Sequence, residues 1–134
     1  MNRIILVEDN PADAALARIA LADIAPETEL THCTNGLELF DLLQREGAEG
    51  TAVVLLDLNM PGMNGFDVLK NLRGDDRFHH LPVVVFSSSA HYQDVLRSYD
   101  YGANAYVAKP MDMEHYDETM SSIVQFWGGL NRRV

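Results

Sequence analysis

Val53-Val54-Leu55-Leu56-Asp57 is the stretch that decides the fold. Four apolar residues in a row, two of them β-branched, read as a strand buried on both faces. A carboxylate closes the run. Two runs of the same kind flank it along the chain. One is Ile4 to Val7, followed by Glu8-Asp9; the other is Val83 to Phe86, preceded by Pro82 and followed by Ser87-Ser88-Ser89. A weaker strand is expected at Glu29 to Cys33, and a fifth at Ala105 to Ala108, leading into Lys109-Pro110.

Helical patterns fill the intervals. Asn10-Pro11 supplies an N-cap and a first helical position, Leu16, Ile19 and Ala20 follow at helical spacing, and Pro26 ends the helix. Asn35-Gly36 opens a second helix with Leu37, Phe40 and Leu43 on one face, closed by a loop from Gly47 to Gly50. Pro61-Gly62 and Asn64-Gly65 mark a tight loop before a helix bearing Phe66, Leu69 and Leu72. A fourth helix is expected near Tyr92 to Tyr101, stopping at Gly102. The last runs from about Asp112 to Trp127 and ends at Gly128-Gly129. Strict alternation of strands and helices predicts an α/β fold: a doubly wound parallel sheet with helices on both faces, built as one domain over residues 1–134.

Composition narrows the function. The 134 residues suffice for one domain with a sizeable core, and 47% are apolar. A net charge of -10 argues against non-specific nucleic-acid binding and against docking on an anionic membrane. Cys33 is the lone cysteine, so no internal disulfide forms, and a small buried residue is expected there. Met1-Asn2-Arg3 leads straight into a four-residue apolar run, which is neither a signal peptide nor a membrane span. A cytoplasmic protein is the expectation.

In an open parallel sheet, ligands collect at the carboxyl ends of the strands. Glu8 and Asp9, Asp57, Ser87 and Lys109 each follow a different predicted strand or share its end. Three crowded carboxylates repel one another, and a hard divalent cation with oxygen ligands, such as magnesium, relieves that repulsion. A lysine at the rim can bind a phosphoryl oxygen, and a serine hydroxyl can donate to another. Such a set suits phosphoryl transfer to a carboxylate nucleophile, which needs no general base. Each piece alone has a plainer reading: a helix-dipole charge pair for Glu8-Asp9, a loop cap for Asp57, an ordinary strand end for Ser87. Their coincidence on one sheet edge carries the argument. His79-His80 precedes Pro82 with no obvious third ligand, and His91 and His115 are expected to face solvent. Gly62-Met63-Asn64-Gly65 lacks the spacing and lysine of a nucleotide-binding loop.

Over nearly its whole length the chain resembles the receiver domain of two-component response regulators. The matching pieces are Ile-Leu-Val-Glu-Asp-Asn at 5–10, Leu-Leu-Asp-Leu-Asn-Met-Pro-Gly-Met-Asn-Gly at 55–65, Pro-Val-Val-Val-Phe-Ser at 82–87 and Gly-Ala-Asn-Ala-Tyr-Val-Ala-Lys-Pro at 102–110. The resemblance implies a flavodoxin-like sheet with strand order 2-1-3-4-5. It implies that Asp57 accepts a phosphoryl group from a sensor histidine kinase. Magnesium, with manganese as a substitute, would be held by Asp9, Asp57 and the backbone carbonyl of Asn59, with Glu8 acting through a water. Lys109 and Ser87 would bind the phosphoryl group, and Tyr106 would be the aromatic switch that follows Ser87. Asn59 and Ser89 would tune self-dephosphorylation, the only catalysis expected besides self-phosphorylation. The Lys109-Pro110 peptide is commonly cis in such domains.

No output domain is expected after the last helix, so signalling would pass to a downstream protein or a phosphotransfer partner. Tyr116, Met120, Ile123 and Trp127 share a helical face and are expected in the core, leaving Val124, Phe126 and Leu130 over. Tyr99, Tyr101 and Tyr106 are expected to cluster on the readout surface. Tyr99, Tyr101, Phe126, Trp127 and Leu130 are therefore taken as a partner or homodimer face between the fourth and fifth helices. This ending and the serine triplet resemble the small regulators that pair with bacterial phytochromes; a chemotaxis-type or phosphorelay receiver is the alternative. A haloacid dehalogenase-like phosphatase would place its aspartate after the first strand with a second aspartate two residues on, where this chain has Asn59. A receiver-like module that is never phosphorylated would be expected to lose Asp57 or Lys109.

Overall fold

A computed structural model describes residues 2–132 of the chain. The elements alternate as β1 (Arg3–Val7), α1 (Pro11–Ile24), β2 (Glu29–Cys33), α2 (Gly36–Glu46), β3 (Thr51–Leu56), α3 (Gly65–Arg73), β4 (Val83–Ser87), α4 (Tyr92–Asp100), β5 (Ala105–Ala108) and α5 (Met113–Gln125). The strands form one parallel sheet in the order β2-β1-β3-β4-β5. This is the expected doubly wound, flavodoxin-like arrangement.

Side chains alternate across each strand, so the three apolar runs feed two cores. Ile5, Val7, Val54, Leu56, Val83 and Val85 pack with α2 and α3 residues such as Leu39, Leu43, Val68 and Leu72. Ile4, Leu6, Val53, Leu55, Val84 and Phe86 pack with Ala14, Ala17 and Leu21 of α1 and Tyr116, Met120 and Ile123 of α5. Cys33 is buried as expected, and that burial pushes its thiol up to about 11.

Two helices present a different face from the one their larger side chains suggest. In α1 the buried residues are Ala14, Ala17, Ala20 and Leu21, whereas Ile19 is exposed. Alanines let the helix lie close to the sheet. In α2 the buried residues are Gly36, Leu39, Leu42 and Leu43, and Leu37 is exposed. Apolar residues at 37, 39, 40, 42 and 43 satisfy two helical phases, and packing against the sheet selects one.

The last helix does not stop at its glycines. A single π turn spans Phe126–Leu130 and closes with Asn131 N–H donating to the Phe126 carbonyl at 2.7 Å. The Asn2 side chain donates to the Gly128 carbonyl at 2.7 Å, so the chain's start ties down this turn. The Lys109-Pro110 peptide is trans, and no cis peptide occurs among the described residues. Trans is the intrinsically favoured isomer before proline.

Backbone bonds beyond the strand ends carry the register into the loops. Glu8 N–H donates to the Cys33 carbonyl at 2.9 Å, Asp57 N–H to the Val7 carbonyl at 3.1 Å, and Lys109 N–H to the Ser87 carbonyl at 2.8 Å. Gly65 fixes the far side of the Asp57 loop. A Cβ there would lie 2.7 Å from the Asp57 carbonyl oxygen and 2.7 Å from Leu58 Cα, so only glycine lets α3 start against that backbone.

Candidate functional site

The carboxyl edge of the sheet brings the predicted acids together. Ligand atoms of Glu8, Asp9 and Asp57 lie within 4.8 Å of one another. Glu8 is 1% exposed and Asp57 7%, while Asp9 is the most open of the three. Burial, then the neighbouring Glu8 charge, push the Asp57 carboxyl up to about 7; Lys109 and the Asn59 backbone N–H work the other way. Two buried carboxylates and one open one, with their charge only partly balanced, fit a hard divalent cation. His79 and His80 stack with ring centroids 3.8 Å apart but belong to no such cluster among the described residues.

Lys109 enters from the end of β5. Its Nζ donates to Glu8 Oε1 at 2.5 Å and to Asp13 Oδ2 at 3.2 Å. Burial opposes its charge, but the Glu8 hydrogen bond and the charges of Glu8, Asp57 and Asp13 outweigh that and hold the ammonium above its ordinary value. Asp13 was not legible as a site residue, because an acid in a helix's first turn is explained by the helix dipole alone. The signal was positional. The Asn10 side chain accepts from Ala12 N–H and Asp13 N–H, and Pro11 starts the helix, which sets Asp13 over the sheet edge.

Ser87 is fully buried, and its hydroxyl accepts from Ser89 N–H at 3.2 Å. The Ser89 hydroxyl donates to Asp94 Oδ2 at 2.6 Å, toward α4. Asp94 is a second partner that sequence did not reveal. Tyr106 OH donates to the Ser89 carbonyl at 2.7 Å, and its ring packs on the α2–α3 core. The Asn59 side chain belongs to an exposed residue on the loop after β3.

The residues taken as a partner face are spread out. Tyr99 is exposed on α4 in line with exposed Tyr92 and Leu96. Tyr101 instead packs edge-on against Phe66 of α3, with centroids 5.9 Å apart, and Lys70 and Arg97 lie near its ring. Its position just after α4 turns it inward. Phe126 and Leu130 are exposed at the π turn, and Trp127 is half-buried against the second core with its ring edge-on to Phe126. Among the described residues, no helix is long and apolar enough to cross a membrane.

A family model for the response regulator receiver domain matches residues 4–121. The probable methanogenesis regulatory protein FilR2 of Methanothrix harundinacea is 33% identical over 132 residues, covering 96% of this chain and 85% of that protein. Response regulator Rcp1 of Synechocystis is 31% identical over 128 residues, covering 92% of this chain and 87% of its own. The Mn(2+)-bound structure of Rcp1 superposes with a TM-score of 0.85 at 30% identity, covering 100% of this chain and 99% of that one. The phosphorylated cyanobacterial phytochrome response regulator RcpA gives a TM-score of 0.87 at 32% identity, with coverage of 98% and 97%.

Proposed function

The chain belongs to the response regulator receiver family, and from that premise we propose that it is a phosphorylation-controlled switch with Asp57 as the acceptor. The observation that carries this reading is Asp57 itself, held at the end of a central strand beside Glu8 and Asp9 and within the field of Lys109. An Asp57 carboxylate oxygen attacks the phosphorus of a phosphohistidine on a sensor histidine kinase. The new O–P bond forms as the P–N bond breaks, and the electron pair leaves with the imidazole nitrogen.

Asp9, Asp57 and the Asn59 backbone carbonyl would hold magnesium or manganese, with Glu8 as an outer carboxylate. When bound there, such a cation would supply the positive charge that favours an ionised Asp57 and offsets the charge of the phosphoryl oxygens. Lys109 and Ser87 then gain charge-assisted bonds to the phosphoryl group that do not exist before transfer. Ser87 gives up the Ser89 N–H it now holds, and the Ser89 carbonyl is the partner of Tyr106. Loop and aromatic therefore shift together, biasing an existing two-state equilibrium. Asn59 sits beside the acceptor and tunes the return hydrolysis. Ser89, with its hydroxyl committed to Asp94, leaves room for water without orienting it. The protein turns over only its own phosphoryl group and otherwise signals by contact.

The likeness to RcpA, a phytochrome response regulator, supports a phytochrome-type kinase as donor; a cytoplasmic location, and a downstream protein or a second copy of this chain as reader, complete the proposal. Incubation with magnesium and acetyl phosphate is expected to give a phosphorylated species on a phosphate-affinity gel, lost in Asp57→Asn. Wild-type protein that stays unmodified overturns the reading. A phosphotransfer screen against histidine kinases, with phytochrome kinases among them, then decides the donor; transfer from a chemotaxis-type kinase alone would overturn the phytochrome assignment.

A further inference from the structure

We infer that Asp13 is a positioning residue for Lys109, holding its ammonium toward α1 until a phosphoryl group on Asp57 takes it over. The inference rests on the switch reading above and goes beyond it, because Asp13 touches neither the metal ligands nor Asp57 in the observed contacts.

Asp13 is placed by its backbone and not by its ion pair. The Asn10 cap and Pro11 fix the first turn of α1, and Asp13 N–H is itself held by Asn10 Oδ1 at 3.2 Å. The Lys109 backbone is fixed independently by its bond to the Ser87 carbonyl. Two rigid anchors therefore bring Asp13 Oδ2 and Lys109 Nζ to 3.2 Å across a sequence separation of 96 residues. The Lys109 side chain is 12% exposed and that of Asp13 is 40% exposed, so the pair closes the rim of the acidic site.

An ammonium has three donors. Glu8 and Asp13 engage Lys109 at 2.5 and 3.2 Å. The Glu8 side chain is 2% exposed, so abandoning it would strand a buried charge. Asp13 can be rehydrated where it stands. The third donor is free, but turning the ammonium toward Asp57 stretches one of the two existing bonds, and the longer, wetter one is the one that yields when phosphoryl oxygens arrive. Every phosphorylation event works against it, and every dephosphorylation restores it.

The test is a four-protein cycle: wild type, Asp13→Asn, Lys109→Gln and the double variant. Two readouts are taken with magnesium present: beryllofluoride affinity, which requires no turnover, and the rate of phosphorylation by acetyl phosphate. Asp13→Asn is expected to tighten beryllofluoride binding and speed phosphorylation by about twofold to fivefold, the scale of a half-exposed pair. Asp13→Glu, which restores the charge, is expected to return both toward wild type. In the Lys109→Gln background the Asp13 effect is expected to vanish. An unchanged Asp13→Asn protein overturns the inference. So does an effect of equal size without Lys109, which would mean simple repulsion of the anionic donor. If the wild type takes up no phosphoryl group or mimic at all, the switch reading itself fails instead.

Discussion

Burial and the Glu8 charge push the Asp57 carboxyl up to about 7, from an ordinary value of 3.8, so its ionisation works against the metal-free fold. A raised carboxyl keeps its proton in the folded state after the unfolded chain has lost it. The stability this contributes is fully present below about pH 4 and is lost as pH rises through about 7. Metal-free wild type is therefore expected to lose stability relative to Asp57→Asn between pH 5 and pH 8.5, the difference between the two changing by about 2 kcal/mol in urea unfolding. Millimolar magnesium should close most of the gap at the higher pH, because binding only the folded state stabilises it. A difference that stays constant across this pH window would show that Asp57 ionises without cost. At this scale the sequence was informative for Glu8, Asp9, Asp57, Ser87 and Lys109, since each stands at the end of a run that reads as a strand. It was silent on Asp13 and Asp94, whose partners come from 96 residues away and from a serine on a loop.

Arg73, the last residue of α3, joins three segments that sequence shows only as punctuation. Its Nε donates to the Gly102 carbonyl at 2.8 Å, Nη1 to the carbonyls of His79 and Leu81 at 3.0 and 2.8 Å, and Nη2 to Asn104 Oδ1 at 2.8 Å. Asn104 Oδ1 also accepts from Val83 N–H at 2.8 Å, so the clamp reaches the start of β4. Gly102 has φ +102°, and a Cβ there would meet Arg73 Cγ at 2.7 Å. The glycine therefore both turns the chain out of α4 and leaves room for the guanidinium. Arg73→Ala strips partners from four acceptors at once and is expected to cost about 2–4 kcal/mol in denaturant unfolding. Arg73→Lys should recover less than half of that, since a point charge cannot span a planar fork's acceptors. A loss under about 0.5 kcal/mol would mean that water replaces the clamp. Helix starts were readable because Asn10, Asn35, Asn64 and Asp112 cap them through local bonds. The faces of α1 and α2 and the π turn were not, because packing against the sheet and the Asn2 side chain decide them.

At the scale of the molecule, two properties pull in opposite directions. The chain carries a net charge of -10. It also exposes Tyr92, Leu96 and Tyr99 along one side of α4, with Phe126 and Leu130 at the π turn. Residues four and seven apart share a helical face, so the α4 side chains form a continuous stripe. The end of α5 lies at the opposite sheet edge from the acids, where the Asn2 side chain meets the Gly128 carbonyl. A homodimer over the α4 stripe can form provided the like charges are screened. At low ionic strength the long-range repulsion between two such anions exceeds what a short apolar stripe returns; near 0.15 M salt the screening length falls to about 8 Å. Dimer affinity is accordingly expected to rise with added sodium chloride, the reverse of an interface built on ion pairs. Leu96→Glu places a charge in the middle of the stripe and should leave a monomer at every salt concentration. Light scattering across a salt series, with and without beryllofluoride, checks both outcomes. A monomer throughout removes the homodimer and leaves the stripe to a different protein. A dimer that weakens with salt places the contact on charged residues elsewhere.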